Sequence, residues 1–228
     1  MRLSIAIPAW EYNGQGVELL ARSFIKIEKQ NFKDFEVVLS DHSKDDEIKN
    51  FCKNWEKRIK IKYIRNKNKR GSSSANINNA IKNCSGEIIK ILCQDDYLYN
   101  RFSLEETIKA FKKDTEWLVS AYYHTKDKIN IFNLHVPCLS SSLYKQNTIG
   151  THSCLSIRNE DPILFDENLL WFMDCEYYYR LLLKYGKPKI LKTPTVIQLL
   201  WEGQVTNTLV TESLIRKELR YVNEKHGL

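Results

Sequence analysis

Residues 88–98 read Ile88-Ile89-Lys90-Ile91-Leu92-Cys93-Gln94-Asp95-Asp96-Tyr97-Leu98. An apolar run of strand length ends in a pair of adjacent carboxylates. The run from Ile88 to Leu92 has the length and composition of a buried strand. Just before it, Ile77, Ala80, Ile81 and Cys84 share one helical face, and Gly86 suits the C-terminal cap of that helix. Towards the N-terminus the same alternation repeats. Leu3–Ile7 is an apolar run closed by Pro8, and Val17, Leu20, Ala21, Phe24 and Ile27 then recur at helical spacing. Phe35–Leu39 is a second buried run, followed by a helical face at Ile48, Phe51, Cys52 and Trp55 and an alternating strand at Ile59, Ile61 and Tyr63. This β-α-β-α-β-α-β rhythm predicts a parallel sheet covered by helices on both faces. Ligands of such sheets bind beyond the carboxyl ends of the strands. The candidates therefore lie at Pro8–Tyr12, Asp41–Ser43 and Asp95-Asp96.

The second half has another texture. Ser103 and Glu106 read as a capping box for a helix carrying Leu104, Ile108 and Phe111. Strands are predicted at Trp117–Tyr123, Ile129–Leu134, Leu155–Ile157 and Thr193–Leu200. Helices are predicted at Met173–Tyr185, closed by Gly186, and at Glu212–Lys225. The polar, Ser-rich stretch Cys138–Gly150 reads as a mobile loop, suited to ordering over a bound substrate as a lid.

The 228 residues suit one α/β domain, with 43% hydrophobic residues to build its core. The six cysteines form no CxxC pair, which argues against a zinc site, and their apolar neighbours suggest buried, reduced thiols. The N-terminus lacks a signal-type apolar segment, and no apolar run reaches the roughly 18 residues a spanning helix needs. The expectation is a cytoplasmic protein, compatible with peripheral contact at the inner membrane face. The net charge of +7 attracts phosphates or anionic surfaces. Part of it sits in Arg65-Asn66-Lys67-Asn68-Lys69-Arg70, either a solvated loop or a basic rim. Nucleic acid is not expected, because the basic residues are dispersed and no known module accompanies them.

Adjacent carboxylates repel, and a hard divalent cation is one reason to hold them together. A plain loop start is the other reading of Asp95-Asp96. Asp41 can accept hydrogen bonds from a base or ribose, or it can make an Asx-turn. Asp174 is either a general base facing an acceptor hydroxyl or a carboxylate complementing a helix dipole. His152 reads as structural or as a supporting group, and Trp171 and Trp201 as core or as rings stacking on a sugar.

In order and spacing, SIAIPAWEYN (4–13), FEVVLSDHSKDD (35–46), GSSSANINNAIKNCSGEIIKILCQDD (71–96) and FDENLLWFMDCEYYYRLL (165–182) resemble the family 2 inverting glycosyltransferases of the GT-A fold, of the bacterial surface-glycan kind. The likeness runs on to GQVTN (203–207). It implies a mostly parallel central sheet flanked by helices. Residues 1–97 would form the nucleotide-sugar-binding half, and 98–228 a smaller acceptor-binding half of one continuous domain. It also implies donor contacts from Pro8, Ala9, Glu11, Asp41, Asn78 and Asp95, Mn²⁺ or Mg²⁺ on Asp96, and Asp174 as catalytic base. His152, Trp171 and Arg180 would support the acceptor side. The reaction implied moves a sugar, with inversion, from a nucleotide-diphosphate sugar to a glycan, lipid-linked or protein-linked acceptor in glycan biosynthesis. Two departures stand out. Ser40 and His42 replace the usual Asp and Gly around Asp41, and the late His of many relatives is missing near Trp201-Glu202. A nucleotidyltransferase would want a basic residue in the first Gly-rich turn, which PAWEYNGQG lacks. The GxGxxG of dinucleotide enzymes is also missing. A non-catalytic nucleotide-sugar-binding module remains as the other alternative.

Overall fold

The computed structural model describes residues 1–228. Strands β1 (Leu3–Ala9), β2 (Phe35–Asp41), β3 (Ile61–Arg65) and β4 (Ile88–Ile91) pair in parallel in the order β3-β2-β1-β4. Helices α1 (Gly16–Glu28), α2 (Glu47–Trp55) and α3 (Ser73–Lys82) connect them. The central three strands are buried almost throughout, as their unbroken apolar runs require. Leu20, Phe24 and Ile27 of α1 are fully buried, and the Phe24 ring meets Phe51 and Trp55 of α2 at 5.0 and 5.7 Å.

After β4 come β5 (Tyr97–Leu98), α4 (Ser103–Ala110), β6 (Trp117–Thr125), β7 (Ile131–His135), β8 (Leu155–Arg158), α5 (Met173–Tyr185), β9 (Lys189–Leu199), the short α6 (Val205–Thr208) and α7 (Glu212–His226). The sheet continues through β8, which is antiparallel to both β4 and β6, then β9, which is parallel to β6, then β5. β7 extends the edge of β6 beyond β8. The expected mostly parallel sheet flanked by helices is therefore present, with antiparallel insertions in its second half. The β6–β9 register slips where Ala121 faces Pro194, a residue with no N–H for the ladder.

Several local expectations are corrected. α3 begins at Ser73, capped by the Ser72 hydroxyl on Ala75 N–H at 3.2 Å, and ends at Lys82 with Asn83 as its C-cap. Gly86 is no helix cap. A Cβ there would lie 2.6 Å from Leu3 C and Ser4 N, so the residue is small because β1 passes against it. No capping box forms at α4. Phe102 is the N-cap, and Ser103 Oγ instead accepts Asn100 N–H at 3.1 Å. Cys138 is exposed, unlike buried Cys52, Cys154 and Cys175. The 138–150 loop is tied across its base by Cys138 N–H to Thr148 O at 3.1 Å and by Thr148 Oγ1 to Cys138 O at 2.7 Å. Leu143 and Ile149 are buried beneath it, so it is anchored rather than free. In the basic run, Arg65 turns inward to Asp41 at 3.3 Å and Asp46 at 2.9 Å, and Lys69 pairs with Glu167 at 2.8 Å. No helix is long and apolar enough to cross a membrane.

The C-terminal helix clasps the segment around α5. Lys225 reaches Asp166 at 2.6 Å and Glu176 at 2.7 Å, and Tyr221 donates to Asp166 at 2.8 Å. Glu176, fully buried, also pairs with Arg180 at 2.7 Å and His226 at 3.2 Å. Burial opposes both carboxylates. The hydrogen bonds and charges of Lys225, with Tyr221 at Asp166 and Arg180 at Glu176, outweigh it and hold Asp166 at about 2 and Glu176 below its usual range. Depressed carboxylates stabilise the fold fully above their unfolded values near ~4 and lose that contribution as pH falls through the folded ones. Urea midpoints should therefore drop between pH 5 and 3, by less in Lys225→Met. Equal drops in the two proteins would refute the clasp as an acid-sensitive element.

Candidate functional site

A cleft of about 1200 Å³ opens beyond the carboxyl ends of β1 and β4, bounded on its other side by the first turn of α5 and the 201–209 segment. Pro8 and Ala9 form its floor at the end of β1. The turn that follows is held by the Gln94 amide, whose Oε1 accepts Trp10 N–H at 2.5 Å and whose Nε2 donates to Trp10 O at 3.0 Å. Tyr12, Asn13 and Gly14 all take positive φ. Gly16 follows because a Cβ there would meet Trp10 O at 2.4 Å. Trp10, Tyr12 and Trp201 line up ring to ring, with centroids 5.0 and 5.1 Å apart.

Asp95 and Asp96 project into this cleft. Asp96 Oδ1 accepts Leu199 N–H at 3.0 Å from the end of β9, and Oδ2 accepts the Thr151 hydroxyl at 3.2 Å. Asp95 Oδ2 accepts the Trp201 indole N–H at 3.0 Å. Burial, then the charge of Asp95, pushes Asp96 up to about 7, and burial also raises Asp95. The pair is thus costly to ionise as it stands, and a cation would remove that cost. Oxygen or sulfur atoms of Cys93, Asp95 and Asp96 lie within 4.8 Å of one another. Burial pushes the Cys93 thiol up, so it stays protonated. The donor set that remains is two carboxylates, which fits a hard divalent ion completed by phosphate oxygens rather than a thiophilic one.

Asp174 stands in the first turn of α5 and also lines the cleft. The His152 Nδ1–H donates to its Oδ1 at 2.8 Å, and His152 Nε2 lies 2.8 Å from Cys93 Sγ. Burial opposes an imidazolium here, but the Cys93 sulfur and the Asp174 carboxylate outweigh it and hold His152 well above the ordinary imidazole range. Asp174 is the firmer cause, since the Cys93 thiol is neutral. Trp171 stands at the rim, 36% exposed.

Four residues expected at the site lie off the cleft wall. Asp41 is fully buried, accepting Ser43 N–H at 2.7 Å and the Tyr63 hydroxyl at 2.6 Å, so its neighbour His42 faces the cleft instead. Glu11 lies behind the Trp10 turn, with Oε2 buried and unpartnered. Asn78 is occupied by Phe165 N–H at 2.8 Å, Phe165 O at 2.9 Å and Glu167 at 3.1 Å, splicing α3 to the 165–167 segment. Arg180 is held by Glu176 and by Leu164 O at 2.7 Å. Ser73, Asn76 and Ile77 of α3 do line the cleft, and Asn76 donates to Ala9 O at 3.0 Å and accepts from Ser40 Oγ at 2.6 Å. Gln94 was likewise not singled out as a site residue by the sequence, and Trp201 was offered there only as core or as a ring stacking on a sugar.

Residues 4–158 match the model of Glycosyl transferase family 2, and the chain belongs to that family. It is 35% identical over 98 residues to the GalNAc(5)-diNAcBac-PP-undecaprenol beta-1,3-glucosyltransferase of Campylobacter jejuni, a match covering 42% of this chain and 30% of that one. It is 26% identical over 146 residues to an uncharacterized glycosyltransferase of Rickettsia conorii, covering 64% and 22%. The chain thus matches less than a third of the length of either curated relative. Its fold is that of S. aureus TarS 1-349 in complex with UDP-GlcNAc (TM-score 0.74, 17% identity, 97% of this chain and 66% of that one). The Pyrobaculum calidifontis mannosyltransferase PcManGT, with GDP-Man and Mn2+, superposes with TM-score 0.61 at 14% identity, over 87% and 56%.

Trp201→Phe keeps the ring and removes the N–H given to Asp95. Urea unfolding should show a loss of about 1–3 kcal/mol, the range for a hydrogen bond to a charged group. An unchanged midpoint would mean the indole does not hold that carboxylate.

Proposed function

We propose that this chain is a metal-dependent, inverting glycosyltransferase that moves a sugar from a nucleoside-diphosphate donor to the hydroxyl of a lipid-linked glycan. The observation that carries the reading is that the Asp95-Asp96 pair and the Asp174 carboxylate line one cleft at the strand ends. Residues 1–97 serve the donor and 98–228 the acceptor. Pro8, Ala9, His42 and Asn76 form the donor floor. Asp96, with Asp95, holds Mn²⁺ or Mg²⁺. Bound there, the ion stabilises the negative charge that develops on the departing diphosphate. Asp174 accepts the proton of the acceptor hydroxyl as its oxygen bonds to the anomeric carbon. The carbon–phosphate oxygen bond breaks on the opposite face, which inverts the centre. His152 orients Asp174 through their 2.8 Å hydrogen bond. The UDP-GlcNAc of the TarS complex and the undecaprenol-linked acceptor in the name of the Campylobacter relative support a UDP-sugar donor and a lipid-linked acceptor.

Thermal shift with UDP- and GDP-sugars, with and without Mn²⁺, tests the reading. UDP-sugar should stabilise the protein only with metal, and Asp96→Asn should abolish the shift. Asp174→Asn should keep the shift and lose transfer by roughly 10²–10⁴-fold, the contribution of a general base. Transfer at the parental rate in that variant would remove Asp174 from the chemistry.

A membrane-face contact accompanies this function. Ile129, Ile131, Phe132, Leu134 and Val136 are 40–82% exposed along edge strand β7 and the residues that flank it. Exposed Lys126 and Lys145 stand nearby in sequence, and Lys128, His135 and Lys145 line the cleft. This apolar, basic rim suits an anionic bilayer carrying the acceptor. The protein should float with phosphatidylglycerol vesicles and not with phosphatidylcholine, and the triple substitution Ile131→Ser, Phe132→Ser, Leu134→Ser should end flotation. No flotation of the parent would refute this contact.

A further inference from the structure

Helix α7 lies beyond residues 4–158 that the family model matches, yet it places one carboxylate directly under the chain leading to Asp174. Glu218 is 4% exposed. Its Oε1 accepts Leu170 N–H at 2.8 Å, and its Oε2 accepts Trp171 N–H and Phe172 N–H, each at 2.9 Å. Phe172 is the N-cap of α5, and no side chain of that segment caps the helix. Three consecutive N–H groups ahead of a helix have no partner in its ladder, and leaving them unpaired in the interior is costly. One carboxylate satisfies all three, and its charge lies at the positive end of the α5 dipole.

The same turn is gripped from its other side. Ser74 of α3 donates to Leu169 O at 2.9 Å and touches Met173 Sδ at 3.7 Å. Residues 169–173 are thus suspended between α3 on the donor side and α7 on the other. Leu170, Trp171 and Phe172 line the cleft, and Asp174 follows two residues later. Side-chain direction in the first turn of a helix follows the entry angle of the chain, and Glu218 sets that angle.

We infer that Glu218 is a positioning residue: by binding the backbone of 170–172 it fixes the placement of Asp174 and Trp171 against the acceptor. This rests on the reading of Asp174 as the base. Glu218 touches neither reacting atom. It acts through geometry, and a displacement of about 1 Å at a reacting group lowers rate by roughly 10²-fold. Effects on the donor side are not expected, because the Asp95-Asp96 pair is held by Thr151, Leu199 and Trp201.

The test uses the full chain with Glu218→Gln, Glu218→Asp and Lys225→Met. The glutamine keeps one accepting oxygen and presents an NH₂ to the N–H groups. The aspartate keeps the charge but is one methylene short. Lys225→Met loosens α7 away from the turn. Two readouts are taken: amide hydrogen exchange at Leu170–Phe172, and transfer kinetics with donor affinity measured separately. Glu218→Gln should speed exchange at those amides and lower kcat/KM for the acceptor ten- to hundredfold, with donor affinity within twofold of the parent. Glu218→Asp should fall between. Lys225→Met should lower Tm and leave both readouts unchanged. Faster exchange with parental transfer would overturn the positioning role, and unchanged exchange would overturn the contact itself. Should Glu218→Gln not fold, Glu218→Asp against Lys225→Met decides by the same two readouts. A parent protein that transfers no sugar would count against the proposed function, and the exchange comparison would still decide whether Glu218 holds the turn.

Discussion

Two carboxylates at the end of one buried strand are the constraint around which the rest is arranged. Side by side and poorly solvated, Asp95 and Asp96 repel, and each needs donors drawn from elsewhere in the chain. Those donors come from far off in sequence: the Thr151 hydroxyl, the Leu199 N–H and the Trp201 indole. Each contact pulls a separate element to the mouth of the parallel sheet. β9 must deliver its last residue there, and the register slip opposite Pro194 lets its path against β6 adjust. Beneath the pair lies Lys90, fully buried in β4, with its ammonium on the Ser153 carbonyl. Burial lowers this lysine to about 8, against the opposing pull of Cys154 and Asp96. A buried cation near Asp96 offsets part of the pair's repulsion.

How far the sequence is legible depends on whether a feature is local. The strands β1, β2 and β4 are readable because a strand buried on both faces must be apolar along its length. Helix phase is less readable. The family resemblance pointed to Asn78, whereas Asn76 is the residue that turns to β1. Asn78 does splice two segments, but its partners are 87 and 89 residues away. The site's tertiary pairings share that difficulty. His152 and Asp174 are 22 residues apart, and Trp201 and Asp95 are 106 apart, so no spacing rule links them. Gly86 and Ser103 show a different limit. Each residue type fits a cap, yet another partner had a stronger claim: the passage of β1 at Gly86, and the nearby Asn100 N–H at Ser103. The missing late His was legible as an absence, but not that an indole N–H would fill the place beside Asp95.

The two walls of the cleft are held by different means. The floor is made of strand ends and the turns they launch, fixed by ladder hydrogen bonds and by Gln94 and Asn76 on the backbone. The opposite wall, from 165 to 176, belongs to no strand. It is suspended by side chains: Asn78 and Ser74 from α3, and Glu218 from α7. Backbone ladders tolerate few changes of geometry, whereas a side-chain suspension can be retuned one residue at a time. In the reaction proposed, one wall meets a diphosphate, whose chemistry is the same in every donor, and the other meets an acceptor, which differs between glycans. A rigid wall suits the first and an adjustable one the second. Under this division, altering Glu218 of α7 should reset what the second wall accepts while the acidic pair across the cleft keeps its place. The helix outside the family-matched region is therefore where acceptor choice is physically easiest to change.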